Sequence, residues 1–98
     1  MAFSFLTQEI AMDLGPANTV IFRNDEIVLD APSIVAIDNN TGKCIAIGRQ
    51  AKLMHEHTNP GIKTIRPLRN GVIADFNAAE MMIKGFIKQV NNKRTSIF

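Results

Sequence analysis

With 98 residues, 11 of them basic and 9 acidic, and a formal net charge of +2, the chain fits one small domain or part of a larger one. A hydrophobic content of 46% excludes a disordered tail, and near-balanced charge argues against a dedicated nucleic-acid binder with a clustered basic face. One cysteine, Cys44, excludes an internal disulfide, and no apolar run reaches the ~20 residues of a membrane-spanning helix.

Met1 to Leu6 is apolar but lacks the basic start of a secretory signal, so a cytoplasmic chain is expected. Residues 9–14 read as a short strand, which Gly15-Pro16 breaks. Thr19 to Phe22, β-branched and aromatic, reads as a second strand; Asn24-Asp25 as a turn; Glu26 to Leu29 as a third strand. These three form an antiparallel meander. After Pro32, Ser33 to Ile37 and Lys43 to Ile47 form a hairpin around Asn39-Asn40-Thr41-Gly42, a strong turn signal. Cys44, between apolar neighbours, reads as a small strand residue of a reduced chain and not as a nucleophile.

Gly48 to Met54 fits a short helix, and from His55 to Thr64 the pattern dissolves into a loop around Asn59-Pro60-Gly61. His55-Glu56-His57 invites a metal reading, but with no second cluster at ligand spacing it reads as surface loop. Lys63, Arg66 and Arg69 read as solvated loop charges, some paired with local carboxylates. The clearest element is the last. Phe76, Ala79, Ile83, Phe86, Ile87 and Val90 fall on one helical face and predict a helix over 77–91. Asn77 is the expected N-cap, with Glu80 completing a capping box and Phe76 and Met81 forming a hydrophobic staple. Gly85 weakens this helix by roughly 1 kcal/mol relative to Ala. Lys84, Lys88, Lys93 and Arg94 read as its solvated face and a polar tail.

Chemistry concentrates in Asp13-Leu14-Gly15-Pro16-Ala17-Asn18-Thr19, a tight turn between two strands. Turn N–H groups without ladder partners can converge on an anion, and a strand-end carboxylate can hold a hydrated Mg²⁺. An ordinary Gly-Pro hairpin turn explains the same spacing.

The segment resembles the first phosphate loop of the actin, sugar-kinase and Hsp70 superfamily in its MreB form. Ala31-Pro32-Ser33-Ile34-Val35-Ala36-Ile37, Thr41-Gly42-Lys43 and Ile65-Arg66-Pro67-Leu68-Arg69-Asn70-Gly71-Val72-Ile73-Ala74-Asp75-Phe76 follow in MreB-like order and spacing. The resemblance, from about Ile10 to Arg94, is to the N-terminal portion of an MreB-type bacterial actin. It implies an α/β fold: an incomplete actin-like ATPase (ribonuclease H-like) domain I. Its parts are the three-strand meander, a small outer hairpin subdomain and one amphipathic helix. The expected division is 1–32 and 66–98 for the inner subdomain and 33–65 for the outer one. The remaining inner strands are missing, so one sheet edge is expected to lie open.

The resemblance further implies that Gly15, Pro16, Ala17 and Asn18 line the phosphates of ATP and that Asp13 orients Mg²⁺ through water. The family has Thr where this chain has Pro16, which lacks both hydroxyl and N–H, so weakened phosphate binding is expected. The second phosphate loop, adenosine pocket and water-positioning acid belong to later family sequence. The 98-residue chain alone is therefore expected not to be an ATPase, and no residue is assigned as catalytic. The implied role is an ATP-dependent, filament-forming cell-shape cytoskeletal protein, here truncated, at the inner face of the membrane. Its implied partners are itself and the cell-wall elongation machinery, with no nucleic acid. Phe3, Phe5 and Leu6 are the candidate membrane contacts, against a disordered start or an extra turn packed on the sheet. The competing reading is a non-catalytic interaction module that associates through exposed strand edges.

Overall fold

A computed structural model describes residues 3–6, 10–57 and 59–96, with side chains over 10–57 and 59–92. Strands β1 (Phe3–Leu6), β2 (Ile10–Leu14), β3 (Asn18–Arg23) and β4 (Glu26–Pro32) form an antiparallel sheet in the order β1-β2-β3-β4. The expected meander is therefore present with a fourth strand. β1 pairs along the free side of β2, Phe3 opposite Leu14 and Leu6 opposite Ala11, so among the described residues the outer strands of this sheet are β1 and β4. Neither an irregular start nor an extra turn describes Phe3–Leu6. Extended backbone beside an unpaired strand satisfies two rows of hydrogen-bonding groups at once. Met1, Ala2 and residues 7–9 lie outside the described residues.

Asn24 and Asp25 join β3 to β4 with φ of 52° and 65°, the paired positive values that a two-residue hairpin needs to match strand twist. Asn70 and Gly71 repeat the device, φ 53° and 78°, between β8 (Leu68–Arg69) and β9 (Val72–Ile73), a hairpin the pattern did not single out.

The second sheet has three strands in the order β6-β5-β7, with β5 (Val35–Asp38) between β6 (Cys44–Ile47) and β7 (Ile62–Ile65). The stretch expected to be patternless thus divides. Helix α1 (Gly48–Glu56) runs past Met54, and β7 pairs antiparallel with β5, Val35 opposite Ile65. β7 is short and only partly buried, so nothing local distinguishes it from loop; pairing makes it a strand. The continuous apolar run at 34–37 has its reason here, because β5 buries both faces. Val35 and Ile37 join Met12, Leu14, Ile21, Leu29 and Leu68 in the main core, while Ala36 packs with Ile34, Ala46 and Ala51.

Helix α2 (Phe76–Ser96) covers the main core through Ala78, Met82, Phe86 and Val90. Its N-cap is Asp75, not Asn77: the Ala78 N–H donates to Asp75 Oδ1 at 2.9 Å. One reason is visible in the preceding hairpin, where the Ala74 and Asp75 N–H groups donate to the Pro67 carbonyl at 2.7 and 3.3 Å. This entry starts the helix two residues early, so no capping box forms with Glu80. Phe76 is the first helical residue, 75% exposed, and neither staples to Met81 nor joins the core. Among the described residues, no helix is long and apolar enough to cross a membrane.

Gly85 has a packing reason. A Cβ there would collide with Ile47 Cδ1, so glycine lets α2 descend onto β6 while Phe86 fills the space against Gly48. Gly85→Ala gains roughly 1 kcal/mol of helix propensity but overpacks this contact by ~1–3 kcal/mol. Urea unfolding is expected to show that Gly85→Ala and Ile47→Val are coupled by ~1 kcal/mol or more, since Val lacks the colliding methyl. Additivity within ~0.5 kcal/mol would remove the packing argument.

Candidate functional site

The turn between β2 and β3 is set by register. Leu14 pairs with Thr19 and Asp13 with Val20, so Leu14 and Thr19 point into the core while Asp13, Val20 and Asn18 share the opposite face. Asp13 and Asn18 are thereby brought to one side of the sheet. The loop closes with the Gly15 N–H donating to the Asn18 carbonyl at 3.0 Å. A Cβ on Gly15 would sit 2.8 Å from that oxygen, so only glycine permits the closure. Pro16, Ala17 and Asn18 are exposed.

Two ties from the next loop hold the turn. The Ser33 N–H donates to the Ala17 carbonyl at 2.8 Å, and the Ser33 and Thr19 hydroxyls bond each other at 2.7 Å, both residues wholly buried. A buried hydroxyl pair is stable only while both partners are present, so it locks strand β3 against the start of β5. These residues were legible only as part of a resemblance; the pairing itself is tertiary.

Sequence reasoning missed Asp30. Its Oδ1 accepts from Asn18 Nδ2 at 3.1 Å, and its register opposite Val20 puts it on the Asp13 face. Period-two counting along three paired strands would have found it. Asp30 orients the Asn18 side-chain amide, while the Asn18 backbone carbonyl separately accepts from the Gly15 N–H.

What the turn can hold follows from its unpaired groups. Asp13 Oδ1 is buried without a hydrogen-bond partner, as suits a carboxylate awaiting a hydrated cation or a donor. Among the described residues the Ala17 N–H has no backbone acceptor and is open to an anion. Pro16 offers no N–H, so the loop presents fewer donors than its geometry allows. The residues present therefore fit a hydrated Mg²⁺ beside a phosphate, with two donors fewer, a hydroxyl and an N–H, than a Thr in place of Pro16 would provide.

The other candidates resolve plainly. His55 Nδ1 and Thr64 Oγ1 are 2.6 Å apart, tying α1 to β7, and no metal-holding cluster of His, Cys, Asp or Glu exists among the described residues. Lys63, Arg66 and Arg69 are exposed; the expected local carboxylate partners are not found, the ion pair among described residues being Lys84–Glu80. Burial pushes the Cys44 thiol up from its ordinary value, which keeps it protonated and unreactive near neutral pH.

A family model described as MreB/Mbl protein matches residues 7–97. The cell shape-determining protein Mbl of Bacillus subtilis is 47% identical over 87 residues, covering 88% of this chain and 26% of that relative. The cell shape-determining protein MreB of Haemophilus influenzae is 47% identical over 91 residues, again 88% of this chain and 26% of the relative. Among solved structures, MreB5 of Spiroplasma citri bound to ADP matches with a TM-score of 0.73 at 34% identity, over 84% of this chain and 25% of that one. The same protein bound to AMPPNP matches with a TM-score of 0.68 at 38% identity, over 74% and 22%. The fold is thus α/β and actin-like, and the chain spans about a quarter of the length of the relatives it matches.

Ser33→Ala is expected to destabilise the chain by ~1–3 kcal/mol, because it leaves the buried Thr19 hydroxyl unpaired. Adding Thr19→Val removes the orphan, so the double variant loses less than the summed singles in urea unfolding. Strict additivity would show that the hydroxyl pair is not a unit.

Proposed function

Because the chain belongs to the MreB/Mbl family, we propose that it contributes the first phosphate loop of an ATP-dependent, actin-like filament protein that determines cell shape. The carrying observation is the turn itself: Asp13 with an unpartnered buried oxygen and Asn18 on one sheet face, flanking a loop closed by Gly15. The likeness to MreB5 structures bound to ADP and AMPPNP supports nucleotide as the ligand.

In this reading, Gly15, Pro16 and Ala17 line the phosphates: the Ala17 N–H donates to a phosphate oxygen, and the Gly15 N–H stays on the Asn18 backbone carbonyl and holds the turn. Asp13 holds water of a hydrated Mg²⁺ through the buried oxygen. Asn18, oriented by Asp30, borders the phosphates, and the Ser33–Thr19 lock keeps the turn from opening when charge arrives. Mg²⁺ supplies neutralisation of phosphate charge when bound. Preorganisation is what the chain contributes: its donors are already aimed, so little ordering entropy is spent on binding. The residues 1–32 and 66–98 act as the inner subdomain and 33–65 as the outer one.

Self-association into filaments, attachment to the inner face of the cell membrane in the cytoplasm and contact with cell-wall elongation machinery complete the proposal. The apolar residues Phe3, Phe5 and Leu6 support the membrane part, since a few apolar side chains suffice for headgroup-level contact.

Pro16→Thr restores a hydroxyl and an N–H. At ~1.5–3 kcal/mol for a hydrogen bond to a charged group, MgATP is expected to bind roughly ten- to a hundredfold more tightly in calorimetric titration. No gain over the parent would count against the phosphate-loop assignment. For the membrane, Phe3→Ser combined with Phe5→Ser is expected to abolish co-sedimentation with anionic liposomes; retained binding would exclude these residues as the contact.

A further inference from the structure

The register of β1 gives Phe3 and Phe5 a place that membrane contact does not allow. Phe3 pairs with Leu14 and Phe5 with Met12, both buried members of the main core. Residues directly opposite in an antiparallel pair stand on the same face of the sheet, so Phe3 and Phe5 fall on the core face. Ser4 and Leu6 fall on the other face, opposite Asp13 and Ala11. While β1 is paired, its two aromatic positions continue the apolar layer of Met12 and Leu14 sideways. A lipid surface needs the same two side chains for itself.

We propose that β1 is a strap with two exclusive seats. One seat is against β2, closing that side of the sheet; the other is the headgroup layer of an anionic membrane. The inference rests on the membrane contact proposed above and adds what controls it. Geometry makes the seats exclusive. The face on which Phe3 and Phe5 fall is the one to which α2 packs, and a flat lipid surface approaching that face meets the helix first.

The strap is short enough to exchange. β1 has four residues and, among the described strands, one neighbour, β2. A strand of that length at the outside of a sheet is held by few hydrogen bonds, and local opening begins at such elements. What offsets the lost ladder is transfer of the two aromatic side chains into lipid, which keeps their apolar surface out of water. Membrane affinity is then reduced by the fraction of chains that keep β1 seated, so whatever holds the strap lowers binding without touching the apolar residues. Release also bares the β1-facing N–H and C=O groups of Ala11 to Leu14, the strand that ends in the phosphate loop.

The test locks the strap. Ser4 and Ala11 are diagonal neighbours on one face, about 7–8 Å apart by strand geometry, a span that a short bismaleimide bridges. In a Cys44→Ser background, Ser4→Cys with Ala11→Cys is linked, and linked and unlinked forms are sedimented with anionic liposomes; circular dichroism confirms the fold of each. The unlinked form is expected to pellet with the vesicles and the linked form to stay in the supernatant, although Phe3 and Phe5 are intact in both. A linked form that pellets like the unlinked one overturns the strap and leaves the membrane contact standing. If parent and unlinked form both stay in the supernatant, the membrane contact falls and the strap with it. Failure of the two cysteines to link overturns the seat on β2. The parent chain gives a second measurement, free of substitutions. On liposome binding, amide hydrogen exchange over residues 11–14 is expected to accelerate, because the amides that face β1 lose their acceptors. Unchanged or slowed exchange there in vesicle-bound chain overturns the strap.

Discussion

The close approach of α2 to the corner where β6 meets α1 organises the molecule. Gly85 removes the side chain that would hold the helix off Ile47, and Phe86, wholly buried, fills the space against Gly48. A single aromatic residue thereby bridges the helix and the second sheet, while Met82 and Val90 on the same stripe reach the core that the meander shares. A chain of this size buries only roughly 60–65% of its unfolded surface. It cannot afford a loose helix over its main core, and the glycine converts lost propensity into interior contact.

The phosphate-loop candidate depends on that arrangement indirectly. Ser33 lies between β4 and β5, and β5 is fixed because its two faces are buried against different partners. Ser33 in turn holds the Ala17 carbonyl and the Thr19 hydroxyl. The turn is thus pinned from behind by buried polar contacts and left exposed in front, the usual division for a binding loop on a rigid scaffold. Pro16 stiffens the exposed side while withholding a donor. The loop's shape and its donor count are separable properties, and this chain keeps the first more fully than the second.

The places where reading and structure part share a cause. Residue periodicity reports which positions alternate, not which direction the surroundings occupy. Asn77 and Asp75 are both competent N-caps, and the β8–β9 hairpin, held by Pro67, settles the choice by fixing how the chain enters the helix. The apolar stripe of α2 was read as Phe76, Ala79, Ile83, Phe86, Ile87 and Val90; Ala79, Phe86 and Val90 are buried, but the core also takes Ala78 and Met82, while Ile83 and Ile87 lie at its flank and Phe76 is exposed. β7 and β1 acquire strand character from a neighbour and carry too few alternating residues to declare it alone.

By itself, the order of residues determined what is local or short-range: the Gly15 closure, the Asn24-Asp25 turn, the doubly buried run at 34–37 and the existence of the long helix. Each depends on backbone sterics or hydrophobic spacing within a few residues. Only tertiary structure decided the Ser33–Thr19 lock, the alignment of Asp30 with Asn18, the service of Gly85 and the exposure of Phe76. Those depend on distances between segments a dozen or more residues apart in the chain, and such distances come into being only when separate elements compete for one core.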